Sequence, residues 1–175
     1  RAGPAPRSRR SRHVGAGCVG GRPLVLGFDR RNETMVAVHW ETVTNRDAIG
    51  VNQEYAGHSG AQFAASAKAA RLPACDWKAG VFCEWPSWTA WSKPLSGTDA
   101  RGSRLAVLLM NNGNAPAELS FAWAQLPRGG WRPGGGCTRV YDVWQRRSLG
   151  TVAGAGFTSA ALAPHDSAFI TLADC

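Results

Sequence analysis

From about residue 58 to the C-terminus, short apolar or alternating runs follow one another with turn-forming stretches between them and no helical period. That pattern confines this part of the chain to an all-β fold. Candidate strands fall at 61–67, 81–85, 88–93, 105–110, 118–123, 138–143, 157–162 and 168–172. Between them lie Pro94-Leu95-Ser96-Gly97, Asn111-Asn112-Gly113-Asn114, Arg128-Gly129-Gly130 and Pro133-Gly134-Gly135-Gly136. Alternation is clearest in Leu119-Ser120-Phe121-Ala122-Trp123 and Phe169-Ile170-Thr171-Leu172, where one face is apolar. Eight short strands of this kind predict a mainly β chain ending in an antiparallel sandwich of Greek-key type.

Upstream the character differs. Pro23-Leu24-Val25-Leu26-Gly27-Phe28 is a continuous apolar run, the pattern of a strand buried on both faces. From Glu33 to Val43, Met35, Val36, Val38, Trp40 and Val43 fit one helix face, with Asn32 as N-cap and Asn45 near the C-terminal end. A strand, a loop and a helix make one β–α unit, which needs neighbours to bury its faces. Residues 1–22 carry no periodicity and read as a disordered basic tail. The chain thus divides into 1–22, the β–α unit and linker over 23–57, and the sandwich over 58–175.

Of the net charge of +8, +6 comes from the tail, which holds six arginines and no acid. The rest is nearly neutral, and no aromatic residue is interleaved with those arginines. Nucleic acid is therefore not expected as a partner. No run of about 18 apolar residues exists, so no spanning helix is expected, and no signal peptide is visible at Arg1-Ala2-Gly3-Pro4.

Most catalytic motifs are missing. There is no phosphate loop, no Gly-x-Ser-x-Gly elbow and no His-Glu-x-x-His, and Gly134-Gly135-Gly136-Cys137 leads into a strand rather than a helix. The cysteines lack zinc spacing, so neither metal nor cofactor is expected. Cys75 and Cys83 flank a segment able to turn back on itself. A disulfide between them and two buried free thiols both fit. Asp29 closes the buried strand and is a candidate for the edge of an active site, since barrel enzymes place reactive groups at that end. Asp142 and Asp166 lie within the strand pattern and read as turn stabilisers. Trp77, Trp85, Trp88 and Trp91 are concentrated in a short stretch, and indole faces can stack on sugar rings. Trp85, Trp88 and Trp91 are the candidate platform, although Trp88 and Trp91 on one strand point to opposite faces.

Several of these segments together are similar to a known family. Pro23-Leu24-Val25-Leu26-Gly27-Phe28-Asp29 followed by Thr44-Asn45-Arg46-Asp47-Ala48-Ile49-Gly50-Val51-Asn52-Gln53 resembles the end of the barrel in α-galactosidases of glycoside hydrolase family 27. Tyr55-Ala56-Gly57-His58-Ser59-Gly60 continues the match. Trp91-Ser92-Lys93-Pro94-Leu95, Ala106-Val107-Leu108-Leu109-Met110-Asn111, Val140-Tyr141-Asp142-Val143-Trp144, Leu149-Gly150 and Pro164-His165-Asp166-Ser167-Ala168-Phe169 follow in the order of its C-terminal sandwich. The resemblance implies the last β–α unit of a (β/α)8 barrel joined to that sandwich. It also implies an α-galactoside or another carbohydrate as ligand, and a secreted, lysosomal or vacuolar location. The family's nucleophile and acid/base aspartates lie on earlier barrel strands, with no counterpart in this sequence, and residues 1–22 match nothing in the family. The chain therefore looks like a truncated or mis-joined product, inactive by itself, with a non-catalytic carbohydrate-binding sandwich as the alternative. No oligomeric state is implied.

Overall fold

The computed structural model describes residues 31–73, 82–99, 102–127, 131 and 136–175. The expected strand at 23–28 and the basic tail lie outside these residues. Helix α1 (Glu33–Val43) begins where the Asn32 side chain accepts a hydrogen bond from the Met35 backbone N–H at 3.1 Å. This satisfies one of the donors that a helix leaves open at its start. None of its residues is buried.

A second helix, α2 (Arg46–Gln53), follows after one turn of chain. Asn45, expected near the end of a single helix, instead caps this one by accepting from the Asp47 and Ala48 N–H groups. An Asn serves either end of a helix, and here packing against the sheet decides which.

Among the described residues ten strands follow: β1 (Ala61–Ala65), β2 (Ala69–Pro73), β3 (Phe82–Pro86), β4 (Trp88–Asp99), β5 (Gly102–Asn111), β6 (Ser120–Ala122), β7 (Thr138–Asp142), β8 (Arg147–Val152), β9 (Gly156–Thr158) and β10 (Ser167–Asp174). Six form one sheet in the order β1-β4-β5-β10-β7-β8, every neighbouring pair antiparallel. The last strand, β10, lies in mid-sheet between β5 and β7, the kind of long return that distinguishes a Greek key from a simple meander. β2 pairs with β3, and β6 with β9.

β4 differs from expectation by running through Pro94-Leu95-Ser96-Gly97, where a turn is predicted. β1 begins at Ala61 opposite Ser92, so beyond Ser92 this side of β4 is an edge that tolerates Pro94. The register shift falls later, between Leu95 and Asp99.

The sandwich core lies between the six-stranded sheet and the β6–β9 layer. Ala90, Val107, Leu109, Val140, Ile170 and Leu172 from the sheet meet Leu119, Phe121, Trp123 and Leu162 from the opposite layer. Phe121 is central, with ring centroids 5.5 Å from both Phe63 and Trp123. The two short strands approach so closely that a Cβ on Gly156 would lie 2.3 Å from the Phe121 carbonyl oxygen. The start of β7 and the end of β10 are joined by a Cys137–Cys175 disulfide, which the sequence reading does not anticipate.

Candidate functional site

The outer face of the large sheet carries the buried lysine Lys93, with a helix seated over it. Alternation along β4 puts Trp88 and Ala90 towards the core and Thr89, Trp91, Lys93 and Leu95 on the opposite face. Helix α2 lies on that face. Val51, its buried apolar residue, packs with Leu95 and Ala106, and Phe169 closes the patch.

Polar contacts hold both ends of α2. At the start, Asn45 caps the helix with Oδ1 while its Nδ2 donates to the Val143 carbonyl at 2.8 Å, so one buried side chain both begins the helix and ties it to the sheet. At the end, the Lys93 Nζ donates to the carbonyls of Val51 at 2.6 Å and Asn52 at 3.0 Å. Last-turn carbonyls have no partner within a helix, and a cation suits that end of its dipole. Lys93 is 1 % exposed, and this burial pushes its pKa below 10.5, partly opposed by the Glu54 carboxylate.

Two further pairs flank the helix. Arg104 lies 3.3 Å from Glu54. The Tyr141 hydroxyl donates to Asp47 Oδ2 at 2.8 Å, and Arg146 Nε lies 3.6 Å from the same oxygen. The hydrogen bond to Asp47 holds the Tyr141 phenol protonated to higher pH than usual, with burial adding to the effect. Asp142 accepts from the Gln145 N–H and Asp166 from the Ser167 N–H, so both organise turns. Among the described residues, no group of three or more His, Cys, Asp or Glu could hold a metal. No described helix is long and apolar enough to cross a membrane. This arrangement binds a helix firmly, and its carboxylates are tied to structural partners.

The residues expected at a site are dispersed. Asp29 and Cys75 lie outside the described residues, and of Cys83 only the backbone is described, opposite Leu72. Trp85, on β3 opposite Ala70, is 50 % exposed. Trp88 packs against the sandwich core, whereas Trp91 lies half-buried on the outer face and donates from Nε1 to Thr89 Oγ1 at 3.2 Å. The three indoles therefore form no shared platform. No catalytic or binding motif in the sequence includes Asn45, Lys93 or Tyr141. A lysine amid apolar β4 residues is the one trace of a buried cation in the sequence.

Residues 86–172 match the family model described as the α-galactosidase C-terminal β-sandwich domain. No curated protein matches the chain by sequence. Among solved structures, a Bacteroides fragilis protein provisionally called an α-galactosidase/melibiase aligns at 20 % identity with a TM-score of 0.61, covering 90 % of this chain and 26 % of that one. α-Galactosidase I from Mortierella vinacea aligns at 19 % identity and TM-score 0.53, covering 78 % and 28 %. The Saccharomyces cerevisiae α-galactosidase aligns at 14 % identity and TM-score 0.56, covering 79 % and 38 %. At such identities the likeness is one of fold, and this chain spans a quarter to two-fifths of the length of those proteins.

Proposed function

Because residues 86–172 belong to the α-galactosidase C-terminal β-sandwich domain family, we propose that this chain is the C-terminal part of an α-galactosidase-like glycoside hydrolase and does not hydrolyse α-galactosides by itself. The seat of α2 carries the reading. A domain that must stay fixed to the segment before it needs a buried, polar and orientation-specific seam, and Lys93, Asn45 and Tyr141 make one. The proposed division at residues 57/58 follows this helix.

Hydrolysis with retention needs two carboxyl groups about 5 Å apart, one as nucleophile and one as acid. The family resemblance puts both on barrel strands absent from these 175 residues. Asp47 and Glu54 are held by charged partners, and Asp142 and Asp166 by backbone N–H groups. Asp29 alone cannot fill both roles. The resemblance and the disulfide together favour a secreted, lysosomal or vacuolar setting.

The test is hydrolysis of a chromogenic α-galactoside by the purified chain, with no release above buffer expected. Turnover that copurifies with the protein and is lost in Asp29→Asn would overturn the reading.

A non-catalytic carbohydrate-binding module is the second reading, favoured by the half-exposed Trp85. A galactose titration followed by tryptophan fluorescence tests it. Saturable quenching that is lost in Trp85→Ala would support sugar stacking, whereas no saturable change in fluorescence would count against it.

A further inference from the structure

We propose that Asn32 is an acceptor for an N-linked glycan. Asn32-Glu33-Thr34 is the one Asn-x-Ser/Thr triplet in the 175 residues, the pattern such acceptors require. Asn32 and Thr34 are both exposed at the start of α1, a helix with no buried residue.

The local hydrogen bonding suits the modification. The N-cap is made through the Asn32 carbonyl oxygen, which accepts from the Met35 N–H at 3.1 Å. A sugar on Nδ2 keeps that carbonyl and so keeps the cap. Other asparagines commit the nitrogen that would react. Asn45 Nδ2 donates to the Val143 carbonyl, Asn111 Nδ2 to the Ala115, Leu162 and Ala163 carbonyls, and Asn112 Nδ2 to the Pro86 carbonyl.

A second, independent observation favours a setting where this chemistry occurs. The Cys137–Cys175 disulfide belongs to an oxidising compartment, and N-glycans are added within the secretory pathway. The co-reactant is an oligosaccharide carried on a lipid pyrophosphate. The Asn32 amide nitrogen forms a bond to C1 of the reducing-end sugar as the bond from C1 to the pyrophosphate oxygen breaks. The lipid pyrophosphate leaves with the bonding pair, the amide gives up one proton, and nothing is oxidised or reduced. The attached polar mass would flank the exposed Val38 and Trp40 of α1. None of this rests on the hydrolase reading.

The experiment expresses the full chain behind a cleavable secretory leader in a eukaryotic cell and examines both intracellular and secreted material by mass spectrometry. The expected wild-type product has a heterogeneous gain in mass that a peptide amidase removes, leaving aspartate at position 32. Asn32→Asp, which preserves a capping oxygen, and Thr34→Ala should both lose the gain, and Thr34→Ser should retain it. Disulfide-bonded wild-type protein without sugar would overturn the proposal. So would an amidase-resistant sugar, or a gain in mass that persists in Asn32→Asp.

Discussion

The Lys93 Nζ lies 2.6 Å from the carbonyl oxygen of Val51, so a strand of the sandwich closes the last turn of a helix 42 residues earlier in the chain. The contact is buried, and the Asn52 carbonyl shares it. Apolar packing of Val51 against Leu95 and Ala106 attracts the helix to the sheet without fixing its direction, because burial is non-directional. The ammonium group fixes it, since only the C-terminal end of a helix presents free carbonyls.

Lys93→Met should therefore fold but lose stability. Two carbonyls would be left without a charged donor, at a cost of about 1–3 kcal/mol each, partly offset by removing a buried charge. Urea unfolding of the two proteins measures the difference. The pH dependence has a definite sign. Burial lowers the folded-state pKa of Lys93, so between that value and 10.5 the unfolded chain binds more protons and stability rises with pH. Wild type should thus gain on Lys93→Met as pH climbs towards 10.5, and a flat or falling difference would contradict the assignment.

Tyr141 predicts the opposite slope. Its folded-state pKa is raised above 10.0, chiefly by the hydrogen bond to Asp47, so its contribution is complete below pH 10.0 and is lost as pH rises through the raised value. Tyr141→Phe should remove this alkaline loss and lower neutral stability by about 1 kcal/mol. A double-mutant cycle with Asp47→Asn should give a coupling of about 0.5 kcal/mol or more, since the two side chains touch.

Where one rule acted alone, the sequence was readable. The N-cap at Asn32 and the loose apolar face of 33–43 define α1 residue for residue. The alternating runs at 119–123 and 168–172 mark the two layers of the sandwich. Helix α2 is not legible in the sequence because its eight residues carry little apolar signal, and its stability comes from contacts distant in sequence. β8 is hidden in the sequence for a related reason. It is a sheet edge, Arg147 to Thr151 are exposed, and Gly150 sits at φ +89°, so no alternation reveals it. Lys93 shows the limit most clearly, because Trp91-Ser92-Lys93-Pro94-Leu95 sets a lysine among apolar residues but does not say what it faces.

Reducing the Cys137–Cys175 bridge should destabilise the sandwich without changing its topology. The bridge closes a loop with a separation of 38 residues, for which chain entropy gives about 4 kcal/mol. The paired substitution Cys137→Ser and Cys175→Ser, followed by urea unfolding, reads this directly. The two ends remain held by the antiparallel register of Thr138 with Asp174, so far-ultraviolet circular dichroism should be unchanged in water.

Gly156→Ala tests the second layer of the sandwich. Gly156 stands opposite Ala122 in the β6–β9 pair, and an added Cβ would meet the Phe121 carbonyl oxygen at 2.3 Å and the Ala122 Cα at 3.0 Å. Both obstacles are backbone, so neither can swing aside as a flexible side chain would. The strands must part, and the Phe121 ring, which touches Phe63, Trp123 and Phe157, must move with them. Overpacking of this kind costs about 1–3 kcal/mol. The loss should appear as a lower urea midpoint and as altered near-ultraviolet dichroism from Trp123, whose Nε1 donates to Gly154 two residues before the substitution. Stability equal to wild type, with the Trp123 signal unchanged, would mean that β6 and β9 do not approach each other in this register.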